Sequence, residues 1–127
     1  MREFSTWGAN SSLTGDIKVF ATMPNIRCWW NNGNSNIYGN IDSLANCTKW
    51  LKFNPASAKI SGNISSLRNW SLLVELNLAS GNITGDIANL ANCTKLGAIH
   101  VQGTQVTGDV SSLKNITNLQ MLYVNNS

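Results

Sequence analysis

The 127-residue chain is 43% hydrophobic but only 12% charged, with a formal net charge of +3. That length suits one domain able to bury a real core, and its scattered Lys and Arg, without a basic run interleaved by aromatics, exclude a nucleic-acid surface. No apolar stretch reaches the roughly 18–20 residues that cross a bilayer, so no membrane span is expected, and Asn, Ser and Thr must dress the surface.

Residues 1–12 open as Met1-Arg-Glu-Phe-Ser-Thr-Trp7 and contain no secretory h-region. They are expected to be an irregular N-terminal part, with Phe4 and Trp7 starting the closure of one end. From Leu13 a signature recurs five times: Leu13-Thr-Gly-Asp-Ile17, Ile37-Tyr-Gly-Asn-Ile41, Ile60-Ser-Gly-Asn-Ile64, Ile83-Thr-Gly-Asp-Ile87 and Val106-Thr-Gly-Asp-Val110. The glycines Gly15, Gly39, Gly62, Gly85 and Gly108 are 24, 23, 23 and 23 residues apart. A fixed period of this size marks a solenoid, one repeat per turn of a stacked coil. The repeats are predicted over 13–36, 37–59, 60–82, 83–105 and 106–127 of a single domain.

Within a repeat, counting the residue before the Thr/Ser/Tyr-Gly pair as position 1, apolar residues fall at positions 5, 8, 14 and 17. The third repeat shows them as Ile64, Leu67, Leu73 and Leu76. Position 19 adds Leu78, Val101 and Val124, so the end of each later repeat alternates as a half-buried strand does. Strands stacked turn on turn predict a parallel sheet on one side. Positions 5–13 are too short for an α-helix and predict 3₁₀ or irregular arcs opposite. The aromatics of the first two repeats, Trp29, Trp30 and Trp50, are expected to close the solenoid end. The last predicted strand, Leu122-Tyr-Val124, leaves an edge to be covered by further chain or by another copy.

Two polar columns stand out. Asp16, Asn40, Asn63, Asp86 and Asp109 follow the repeat glycines; they are expected to accept bonds from turn amides beside glycines tolerant of positive φ, not to hold Ca²⁺, which takes six to eight oxygens. Asn46, Asn69, Asn92 and Asn115 are expected to form a stacked amide ladder bonded to the arc backbone. They also begin N-x-Ser/Thr sequons, as do Asn10, Asn63, Asn82 and Asn125. A single Thr/Ser column (Thr14, Ser61, Thr84, Thr107), broken by Tyr38, is a poor ice-binding array.

Cys47 and Cys93 share a repeat position two turns apart, about 10 Å at the usual strand spacing and too far to bridge. They are expected to be buried small hydrophobes, equivalent to Met23, Trp70 and Ile116; a Cys28–Cys47 bridge needs a distorted first repeat. His100 is the sole histidine, which rules out a His-rich metal site. With Glu75 and Ser80 it assembles no nucleophile–base–acid set, so neither enzyme activity nor a cofactor is expected.

The runs Leu73-Val-Glu-Leu76-Asn-Leu78 and Leu96-Gly-Ala-Ile99-His-Val101, with the following apolar-x-Gly-x-Ile, resemble leucine-rich repeats of the plant-receptor type and related bacterial surface proteins. The resemblance covers about Leu13 to Ser127. It departs where Ala58, Gly81, Thr104 and Ser127 replace the family's ladder Asn, and where Pro after Ile is missing. It implies a leucine-rich repeat solenoid of about five turns, its parallel sheet concave and its arcs convex. It also implies a non-enzymatic recognition module, with an extracellular or surface setting.

The expected site is the outward stripe of the concave sheet: Trp30, Asn54, Asn77, His100 and Tyr123, flanked by Lys52, Glu75 and Gln102, with Met121, Asn32 and Asn125 also adjacent. Its expected partner is a protein, peptide or glycan. The competing expectation is a structural segment that self-associates through its open ends and exposed C-terminal strand.

Overall fold

The computed structural model describes residues 1–7, 12–33, 36–56 and 58–124. Asn10 and Asn125, and the side chains of Trp7 and Asn32, lie outside that description. In chain order the strands are β1 (Glu3–Trp7), β2 (Gly15–Asp16), β3 (Cys28–Asn32), β4 (Ile37–Asn40), β5 (Lys52–Asn54), β6 (Lys59–Asn63), β7 (Glu75–Asn77), β8 (Asn82–Asp86), β9 (Ala98–His100), β10 (Gln105–Thr107) and β11 (Met121–Tyr123). They form two parallel sheets, one ordered β1-β3-β5-β7-β9-β11 and the other β10-β8-β6-β4-β2. The described residues therefore form a stack of turns, with successive strands adding to each sheet in chain order.

The arc between the sheets follows from apolar spacing. Positions 5, 8, 11 and 14 of the third repeat, Ile64, Leu67, Trp70 and Leu73, are all buried. A three-residue period matches 3₁₀ geometry, not the 3.6 of an α-helix. The 3₁₀ turns Ile17–Thr22, Ile41–Leu44, Ile64–Leu67, Ile87–Leu90 and Val110–Leu113 start each arc. Further i→i+3 bonds continue it: Trp70 N donates to Leu67 O at 2.9 Å and Leu73 N to Trp70 O at 3.1 Å. Position 10 therefore points outward. Asn46, Asn69, Asn92 and Asn115 are exposed, and among the described residues their side chains make no hydrogen bond. The expected amide ladder is absent because a period of three aims the following residue, not the Asn, at the core.

The column that does bond is the one beside the glycines. Asp16, Asn40, Asn63, Asp86 and Asp109 each cap a 3₁₀ turn, the side-chain oxygen accepting from the amide two residues on. The Asn63 Oδ1 to Ser65 N distance is 2.9 Å. Gly15, Gly39, Gly62 and Gly85 lie in strands of the second sheet, which the sequence pattern does not predict, and Gly108 directly follows β10. At Gly85, φ is +109°, and a Cβ there would collide with the Asn63 Oδ1 of the preceding turn. Backbone of one turn thus packs directly on the cap of the turn before it.

Two further differences concern the N-terminal end. Glu3–Trp7 is a strand pairing in parallel with β3, Phe4 opposite Trp29, and not an irregular segment. The aromatics fill the interior more than they close its end: Trp29, Trp50, Phe53 and Trp70 are fully buried. Ring centroids lie 4.9 Å apart for Trp50–Phe53 and 5.1 Å for Phe53–Trp70. Burial of each large side chain is worth about 1.5–3 kcal/mol. The indole N–H groups of Trp29, Trp50 and Trp70 have no hydrogen-bond partner, a cost of about 1–3 kcal/mol each that ring–ring contacts offset only in part.

All three cysteines are free. Cys93 is fully buried, its thiol donating to Leu67 O at 3.5 Å, and burial pushes its pKa up to about 11. Cys28 stands on β3 and Cys47 on the arc, so no bridge joins them.

Candidate functional site

Strand alternation builds the site. In β5, β7 and β9 the middle residues Phe53, Leu76 and Ile99 are buried, so the residues on either side face outward. Parallel register aligns them in two rows. One runs Cys28, Lys52, Glu75, Ala98, Met121; the other runs Trp30, Asn54, then Asn77, His100, Tyr123. All eight residues expected to form the site are at least partly accessible, and seven lie on the strands themselves or their outward rows. Gln102 lies two residues beyond β9, half-buried, with its Oε1 shielded from solvent and unpartnered.

The side chains divide into four kinds. The rings of His100 and Tyr123 stack at 4.7 Å between centroids and 29° between planes. The Lys52 ammonium sits 5.7 Å from the Trp30 ring centroid, a cation–π distance. Asn54 and Asn77 are partly structural: their Oδ1 atoms accept from Ala56 N at 3.3 Å and Ala79 N at 3.0 Å, closing the turn after each strand. Their Nδ2 groups remain as donors at the face. The carboxylate of half-buried Glu75 makes no ion pair or hydrogen bond among the described residues.

Sequence reasoning had passed over Ala98. It lies between Glu75 and Met121 in its row, and Gly97 precedes it. Both carry less side chain than Glu75 and Met121, the neighbours of Ala98 across the strands. The available signal was a Gly-Ala pair in a column otherwise holding Leu51, Lys52, Val74, Glu75, Gln120 and Met121.

Elsewhere, an apolar cavity of about 220 Å³ lies at the N-terminal end against Met1, Phe4, Leu13, Val19 and Phe20. Among the described residues no group of three or more His, Cys, Asp or Glu is placed to hold a metal ion, and no helix is long and apolar enough to cross a membrane.

No family model matches the sequence, and no curated protein matches it. Solved structures do. An internalin (InlF) from Listeria monocytogenes is 32% identical, with a TM-score of 0.66 over 82% of this chain and 29% of its own. The leucine-rich repeat ectodomain of the receptor kinase SOBIR1 from Arabidopsis thaliana is 18% identical, with a TM-score of 0.74 over 97% of this chain and 67% of its own. The Arabidopsis receptor kinase HAESA, solved with the peptide hormone IDA and the co-receptor SERK1, is 18% identical, with a TM-score of 0.66 over 98% of this chain and 26% of its own. The chain thus spans under a third of the internalin and of HAESA.

Proposed function

We propose that this chain, a leucine-rich repeat protein by its fold, works as a non-enzymatic recognition module that binds an extended peptide or protein segment across its six-stranded sheet. The observation that carries the reading is the contrast between the two faces of those strands. The inner face repeats large apolar residues, Phe53, Leu76 and Ile99, from turn to turn, whereas the outer face varies in chemistry along the stack, the Asn54–Asn77 pair apart, and presents rings, amides and single charges. Such a mixture anchors interfaces, and the HAESA structure holds a peptide hormone. Glycan binding rests on the same amide donors, but the His100 and Tyr123 rings stack on each other and offer a sugar less open ring face.

The test is selection of a displayed random-peptide library on the full chain, followed by affinity measurement of the enriched peptides. Replacing Trp30, His100 and Tyr123 together by Ala is expected to weaken them at least tenfold with an unchanged far-UV spectrum. Unaltered affinity would move the site off this face.

Self-association is the second reading. It is favoured by the edge formed by β11, where Met121, Tyr123 and Val124 are 45%, 47% and 42% exposed.

A further inference from the structure

Glu75 places a carboxylate in the middle of the outer face, and it forms no ion pair among the described residues. Glu75 stands beside Lys52 in register, about 4.8 Å away between backbones. Even so, the Lys52 ammonium lies over the Trp30 ring and forms no ion pair with Glu75. An unpaired carboxylate on such a face is the group with which an incoming cation would pair.

The surroundings of Glu75 suit such a cation. Its other strand neighbour is Ala98, whose small side chain leaves the space above β9 open. Met121 closes that space on the far side, and the stacked His100–Tyr123 pair stands one alternate residue further along the same two strands. Glu75 and Met121 are two strands apart, about 10 Å, which admits the width of a guanidinium or an aminobutyl chain. The space over Ala98 is thus flanked by a carboxylate on one side and a polarisable thioether on the other, with the aromatic pair at one end. The Glu75 carboxylate supplies charge pairing, and the Met121 thioether and the ring pair supply packing surface beside it.

We propose that Glu75, Ala98, Met121 and the His100–Tyr123 pair form a subsite for a basic side chain, Arg or Lys, of the bound peptide. This rests on the recognition role proposed for the same face. It adds the ligand's charge and its place: the basic residue lies over the fourth turn, and uncharged polar side chains lie over Asn54 and Asn77.

The experiment uses peptides enriched from the displayed library on the full chain, with Glu75→Gln as the variant and thermal melting as the check that it folds. Enriched peptides should share an Arg or Lys at one position. Glu75→Gln, and citrulline in place of that Arg, should each weaken binding tenfold or more without adding to each other, and the loss should shrink in high salt. Peptides that bind in a manner lost in the Trp30/His100/Tyr123 triple variant, yet share no basic position or ignore Glu75→Gln, would overturn the subsite and leave the recognition face standing. A library that enriches nothing, or only peptides indifferent to the triple variant, would overturn both.

Discussion

At the scale of single residues, the repeat signature is a packing device in which glycine and its acidic or amide neighbour have separate tasks. Asp or Asn ties off a 3₁₀ turn, and the glycine of the next turn lies against that same oxygen. At Gly85 and Gly108, φ of +109° and +116° adds a backbone demand that L side chains meet poorly. Gly85→Ala is expected to lose about 2 kcal/mol or more, combining an unfavourable φ of about 1–3 kcal/mol with the displaced Asn63 cap. Gly15→Ala meets nothing within 4 Å and keeps only the φ term, 152° there, so it should cost less. Urea midpoints of the two variants check the order; equal losses would deny the role of turn-to-turn contact.

At the scale of the element, the short arcs survive because each is capped and then bolted down at three-residue intervals. Four of the caps are followed by a turn of only four residues, too short to stand without tertiary packing. In the fifth turn, hydrogen bonds from the backbone and then the side chain of Ser111 hold the Asp109 carboxyl below its ordinary pKa. Since the folded value is the lower one, its contribution to stability is fully present above the unfolded value, about 3.9, and is lost as pH falls through the folded value. Asn40 and Asn63 make the same cap without a titrating group. Asp109→Asn should therefore melt closer to the parent at pH 3 than at pH 6; a constant gap between the two melting curves would show that the carboxylate charge adds nothing.

At the scale of the whole molecule, stability is a sum over neighbouring turns, and burial is uneven along the stack. Ile64, Leu67, Trp70, Leu73 and Leu76 of the third repeat are fully buried, whereas Val110 of the fifth is 55% exposed. The self-association reading draws on the exposed β11 residues Met121 and Tyr123 and on Val124 beside them, and the recognition reading makes the contrary prediction. Light scattering across a concentration series should give a constant mass near 13.8 kDa; growth with concentration would put the β11 edge in the lead. The repeat length, the parallel outer sheet, the 3₁₀ arcs and the buried columns were all legible in the chain, because a 23-residue period forces Leu67, Leu90 and Leu113 into one column whatever the details. The capping role of Asp86 and Asn63 was legible too, since Asx beside Gly has few other uses. The second sheet was not: Ile83-Thr-Gly-Asp contains a glycine that weakens any strand prediction, and only contact with the preceding turn makes it one. Nor was the outward turn of Asn92, because it depends on the i→i+3 bonds that carry the arc past Leu90 to Cys93 and Leu96. Periodicity in a single chain determined which residues share a column; the stacking of turns alone decided which of those columns bond, which lie bare, and where Glu75 is left without a partner.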